Sequence, residues 1–207
     1  MRRAEFAITD ATEIQLFLDS QKWGSLTMNG DDGYPYSVPL NYLWLENRIY
    51  LHSAPSGRKL GLLAADSRVQ FSVVKEYAFI PSYFSGSKMA CSASQFFKSV
   101  VIRGRTCRIE SGSEKMTIFQ KMMNGFQPEG KYLALASDEE SYHKMISGTE
   151  LITIQAETLS SKFKFGQNLR TEVIQQIIRF LKERGMPLDM ETISMIEKYH
   201  PDSKLSL

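Results

Sequence analysis

Residues 47–63, NRIYLHSAPSGRKLGLL, decide how this chain folds. Ile49, Tyr50 and Leu51, set between turn formers, read as a strand over Arg48–His52. Ser53–Ser56 follows as a tight loop. Leu60, Leu62 and Leu63 then mark one side of a helix that opens at Gly57-Arg58-Lys59, with Ser56 placed to cap it. A helix N-terminus carries unpaired backbone N–H groups and roughly half a positive charge. Two cations in the first turn oppose that field unless an anion joins them, and a phosphate would resolve the conflict. The plain alternative is a pair of solvated basic side chains on a surface helix.

Working back from this stretch, Tyr34–Leu45 reads as a long strand that contains Pro35 and Pro39. A fully paired central strand does not tolerate two prolines, so this one is an edge or is interrupted. Near Pro39 the backbone groups of Val38, Leu40 and Asn41 become available to something other than a neighbouring strand. Before it come a turn cluster, Asn29-Gly30-Asp31-Asp32-Gly33, a short strand over Ser25–Met28, and a helix capped by Thr9 or Asp10 that runs to about Ser20.

Working forward, Arg68–Lys75 alternates as a strand, and Tyr77 to Ser94 reads as a long aromatic loop. Gln95–Glu110 is the longest strand signal, with Gly104 as a bulge. Ser113–Asn124 is helical, with methionines that read as core, and Thr149–Thr158 is a further strand. Six strands joined mostly as hairpin neighbours predict an antiparallel barrel: mainly β with flanking helices, an α+β fold over residues 1–168. Residues 169–207 form a helical extension, Thr171–Arg184 and Asp189–Tyr199, joined at Gly185-Met186-Pro187. No GxGxxG follows a strand, which removes the dinucleotide-binding fold.

Composition narrows the classes further. The balance of 25 basic and 23 acidic residues argues neither for nor against nucleic acid, but Glu191 and Glu197 on the last helix would repel phosphates, so no nucleic-acid partner is expected. No run of about 18 apolar residues predicts a transmembrane helix, so no membrane partner is expected. The opening MRRAEFAITDATE lacks the apolar core of a secretory signal. Cys91 and Cys107 sit in unrelated contexts and the three histidines lack ligand spacing, so a reducing cytoplasm without a structural metal is expected.

YSVPLNY (36–42), IYLHSAPSGRKLGLL (49–63), RVQFSV (68–73) and FKSVVIRGRTCRIE (97–110) together resemble the pyridoxamine 5′-phosphate oxidase-like FMN-binding split barrels. Within that superfamily the nearest likeness is to the nitroimidazole-resistance type flavoproteins, and SSKFKFGQN (160–168) is similar to their barrel-closing segment. The resemblance implies a homodimer with two FMN sites at the subunit interface. It implies that Arg58 and Lys59 hold the FMN phosphate with the Gly57 amide and Ser53, and that Val38, Pro39, Leu40 and Asn41 lie along the flavin edge. His52 would lie near the ribityl chain or ring, a weak catalytic candidate in a site whose catalytic residues are otherwise unassigned. Lys98 and Ser99 would approach from a neighbouring strand, and Lys164 and Gln167 would face the flavin or substrate of the other subunit. The implied activity is reduction of a small acceptor such as a nitroaromatic by two-electron flavin chemistry. The Arg-Leu-His type clamp for a second phosphate is missing, which argues against oxidation of pyridoxamine phosphate. A flavin-binding module without turnover, acting as sensor or store, and a haem-binding split barrel stay open as alternatives.

Overall fold

The computed structural model describes residues 3–135 and 140–203. Met1, Arg2 and residues 204–207, at the ends of the N-terminal opening and the C-terminal extension expected above, lie outside the described residues. The elements run in the order α1 (Ala11–Ser20), β1 (Trp23–Asn29), β2 (Pro35–Asn41), β3 (Leu43–Leu45), β4 (Arg48–Ser53), α2 (Arg58–Ala65), β5 (Arg68–Ile80), β6 (Ser94–Ile109), α3 (Gly112–Phe126), α4 (Glu140–Ser147), β7 (Glu150–Lys164), α5 (Thr171–Arg184) and α6 (Asp189–Tyr199). This is a mixed α+β fold whose strands hydrogen-bond in the order β2-β1-β5-β6-β7-β4-β3. The described ladders are antiparallel: β1 with β2 and β5, β3 with β4, and β4 with β7.

There are seven strands where the sequence suggested six. The stretch Tyr34–Leu45 divides at Tyr42 into β2 and β3, which occupy opposite ends of the strand order. Tyr42 explains the break: its side chain turns inward, 3% exposed, and its hydroxyl donates to the Leu18 carbonyl at 2.6 Å. A residue anchored that firmly cannot also serve a regular strand edge. The proline-bearing strand is thus both interrupted and an edge, as its two missing donors require.

Three elements depart from their sequence signals. Strand β5 continues through Tyr77 to Ile80 into what read as loop, because Tyr77, Ala78 and Ile80 are buried and reward the extended form. Strand β7 runs without a break from Glu150 into the SSKFKF segment. Helix α2 begins after Gly57 rather than under a Ser56 cap: Gly57 is the N-cap, with φ +122° and no side-chain cap bond. That backbone conformation is one L side chains rarely adopt.

Two compact units interleave along the chain. One comprises Met1–Asp10, Val74–Val100 and Ser160–Leu207. It is organised by Phe163 and Phe165, both fully buried, and by the fully buried stripe Ile174, Ile177, Ile178 and Leu181 of α5. Aromatic rings pack there in stacked and edge-on pairs, with Phe84 on Phe180 at 4.9 Å and Tyr77 edge-on to Phe165 at 4.9 Å. The other unit comprises Ala11–Val73 and Val101–Leu159, with Leu26, Ile49, Leu51, Phe71, Leu151 and Ile154 fully buried. Among the described residues no helix is long and apolar enough to cross a membrane.

Candidate functional site

The start of α2 carries the two cations singled out by the sequence, and they differ in kind. Arg58 already has anions within the chain. Its guanidinium bonds Asp31 at 2.6 Å and Asp32 at 2.9 Å in the turn between β1 and β2, and stacks over Tyr36 at 4.7 Å. The Arg58 bond holds the Asp31 carboxyl below its usual range, the Tyr34 N–H and then Arg58 do the same for Asp32, and the two aspartates raise the Arg58 pKa. The conflict between a cation and a helix N-terminus is answered here by two aspartates.

Lys59 has no such answer. It is half-buried, burial pushes its pKa down, and among the described residues no carboxylate pairs with it. Its neighbour is His52 at the end of β4. Partial burial, and then the Lys59 charge, hold the His52 pKa below the usual 6.5, so the imidazole is neutral near pH 7. The Lys59 ammonium, with a neutral imidazole rather than a carboxylate beside it and the open N–H groups of the helix at hand, makes a spot of unbalanced positive potential. The space at Gly57 is open, with nothing within 4 Å of where a side chain would begin.

His52 is also the hinge between two hollows. On one side lies a groove of about 360 Å³ lined by Trp23, Pro39, Leu40, Asn41 and His52. On the other lies an apolar hollow of about 230 Å³ bounded by Phe119, Met122, Met123, Phe126 and Met145 among others, with Phe119 edge-on to His52 at 6.4 Å. The fold therefore brings His52 together with Pro39, Leu40 and Asn41, residues 11 to 13 positions away. Val38 and Leu40 stand opposite Leu26 and Gly24 in the β1–β2 ladder, so it is the outer rim of β2 that lacks a strand partner. The Asn41 amide donates to the Lys22 carbonyl at 2.8 Å, which fixes the end of the strand. Ser53 ends β4 half-buried, opposite Glu150.

Trp23 is the lining residue that sequence reading missed as part of the site. It opens β1, stands opposite Asn41 and leaves 61% of its surface exposed at the groove. Met122 is buried as a core residue and Met123 partly so, yet both also wall the apolar hollow.

The remaining sequence candidates belong to the other compact unit. Lys98 holds its ammonium 4.9 Å above the Phe163 ring, and the Ser99 hydroxyl donates to the Lys162 carbonyl at 3.5 Å. Gln167 spends its amide locally, donating to Phe163 at 2.7 Å and accepting from the Phe165 N–H at 2.8 Å. Lys164 donates to the Ser94 hydroxyl and lines a separate cleft. The alternation of Lys162 and Lys164 with buried Phe163 and Phe165 follows the strand period.

Comparison with known proteins settles the family. The family model described as pyridoxamine 5′-phosphate oxidase matches residues 10–163, most of the chain. The chain belongs to the pyridoxamine 5′-phosphate oxidase family. No curated protein matches. Among solved structures, members of this kind share the fold at low identity. A putative 5-nitroimidazole antibiotic resistance protein from Bacteroides thetaiotaomicron is 20% identical, with 75% of this chain and 85% of that one covered and a TM-score of 0.62. A flavocytochrome from Azotobacter vinelandii is 19% identical over 77% and 69%, with a TM-score of 0.65. An FAD and haem binding protein from Mycobacterium smegmatis is 16% identical over 78% and 74%, with a TM-score of 0.64. The groove, Lys59 and His52 of this family member all lie within the matched span.

Proposed function

We propose that the chain binds FMN at the groove beside His52 and acts as an oxidoreductase that reduces a small acceptor. The observation that carries this reading is the Lys59 charge, left without a carboxylate at the start of α2 beside the neutral His52, which lines an open groove. The residues fit the group. Lys59 and the Gly57 and Arg58 N–H groups suit a terminal phosphate; Trp23, Pro39 and Leu40 offer a flat, largely apolar wall. The solved structures similar to it include a flavocytochrome and an FAD and haem binding protein, which supports a flavin at the site. When bound, the isoalloxazine ring supplies two-electron transfer, and the chain supplies position and a dry wall. The apolar hollow across His52 suits a small aromatic acceptor such as a nitroaromatic, since no cation for a second phosphate lines it.

The visible spectrum of purified protein is expected to show flavin bands, and anaerobic reduction by a nicotinamide is expected to bleach them. A haem spectrum, or no chromophore after incubation with FMN, would overturn the reading. Lys59→Ala is expected to weaken FMN binding by about 1.5–3 kcal/mol, the worth of a charge-assisted contact. Arg58→Ala is expected to weaken it less, because Asp31 and Asp32 already offset that charge. Fluorescence titration of FMN checks the order, and equal losses would remove the distinction between the two cations.

The proposed active form is a homodimer whose interface completes the flavin site. Trp23, exposed at the groove rim, gives that interface an apolar anchor. Sedimentation is expected to show a dimer, and a monomer that keeps FMN tightly would refute this part.

A further inference from the structure

A second cleft, unrelated to the groove beside His52, lies within the other compact unit and holds about 580 Å³. Three cations line it: Arg3 ahead of α1, and Lys162 and Lys164 on one face of β7. Among its lining residues there is no aspartate or glutamate. Among the described residues the carboxylate paired with one of these cations is Glu5, 3.8 Å from Arg3 and 38% exposed. Lys164 is half-buried and donates to the neutral Ser94 hydroxyl, so its hydrogen bond brings it no opposite charge. Burial, and then the charges of Lys162 and Arg3, push its pKa down. Like charges gathered in a partly desolvated cleft oppose folding unless an anion joins them.

Two further features give the cleft a shape for a ligand. Apolar side chains line it too, among them Ile80, Phe96, Leu169, Val173 and Ile177. Helix α5, which supplies Val173 and Ile177, has no side-chain cap on its first turn; its first intrahelical bond is made by the Ile174 N–H, so the earlier amides have no partner in the helix. Cations and open amides together with apolar side chains in one cleft match a molecule that carries both a negative charge and an apolar body. Most of the residues beyond β6 that line the cleft lie at or past the end of the span shared with the family.

We propose that the cleft is a binding site for a small amphiphilic anion, a phosphate- or carboxylate-bearing molecule with an apolar body, separate from the FMN site. Calorimetric titration of the full chain with hexyl phosphate, with hexanol and with inorganic phosphate tests it, each in the presence of excess FMN. Hexyl phosphate is expected to bind at one site per chain, more tightly than either of the other two. Lys164→Gln keeps a donor for Ser94 and is expected to weaken hexyl phosphate by at least about tenfold, the worth of one charge-assisted contact. Val173→Trp, which fills the apolar wall, is expected to abolish binding, with unchanged thermal melting as the check on folding. Lys59→Ala is expected to leave hexyl phosphate binding unaltered. Hexanol binding as tightly as hexyl phosphate, full affinity in Lys164→Gln, or competition by FMN would each overturn the proposal, as would failure of hexyl phosphate to bind.

Discussion

Arg184→Met is expected to cost about 3–5 kcal/mol of folding stability, the range for leaving one member of a buried ion pair alone. Arg184 ends α5 and Asp189 opens α6, and their side chains join across the Gly185 turn at 2.9 and 2.5 Å. Asp189 is fully buried, and Arg184 is 22% exposed. The aspartate also accepts from the Met186 N–H at 2.9 Å, while the guanidinium donates to the Phe79 carbonyl at 2.9 Å and covers the Phe84 ring at 5.1 Å. Removing the arginine leaves a carboxylate in an apolar corner with one amide for company. Chemical denaturation at pH 7 measures the loss, and a variant within about 1 kcal/mol of the parent would show that the pair is not load-sharing. Arg184→Met with Asp189→Leu is expected to recover much of it, because no orphan charge remains.

The same pair sets an acid limit. The Arg184 hydrogen bonds hold the Asp189 carboxyl below its ordinary 3.8. A lowered folded pKa stabilises the native state above the unfolded value, and that contribution is lost as pH falls from 3.8 through the folded pKa. The parent is therefore expected to lose stability across that window more steeply than the double variant.

Gly104→Val is expected to be at least as damaging, at or above the roughly 3 kcal/mol that usually tops the overpacking range. A Cβ at this position would lie 1.9 Å from the Gln155 carbonyl oxygen and 2.9 Å from its carbon. Those atoms belong to the backbone of β7 and cannot swing aside as a side chain would. Gly61→Ala in α2 is the control: nothing lies within 4 Å, and alanine there is expected to stabilise by about 0.5–1 kcal/mol. Soluble yield and melting temperature of the two variants decide it. A Gly104→Val protein that melts with the parent would show that β7 yields at Gln155.

Local chemistry made much of this structure legible in the sequence. Two prolines marked β2 as an edge because a missing N–H has the same consequence in any sheet. The isoleucine and leucine spacing of α5 survived because nothing competes with a 3.6-residue stripe that is buried on one face. What stayed hidden depended on residues far apart along the chain. Asp31 and Asp32 read as turn formers, and nothing local says that they reach Arg58, 26 and 27 positions on. Gly104 read as a bulge, yet its requirement is a carbonyl some fifty residues downstream. Helix α4 gave no usable signal of its own, with Ile146 its one buried residue. For the site, the sequence pointed to the start of α2 and to Pro39–Asn41, while Trp23 became visible only once β1 and β2 were paired.

The way β2 and β3 finish the strand order also bears on whether this protein stays in solution as separate molecules. A bare strand rim is a template on which another chain can add, the first step towards fibres. Residues 35, 37, 39 and 41 share one orientation along β2, and two of those four are prolines. The strand tolerates them because its imide nitrogens face away from β1, so on the outward rim only Ser37 and Asn41 can donate. The opposite rim, β3, is three residues long. A newcomer strand would find two donors on one side and too short a ledge on the other. The residues that shape the groove thus also deny the sheet a place to polymerise.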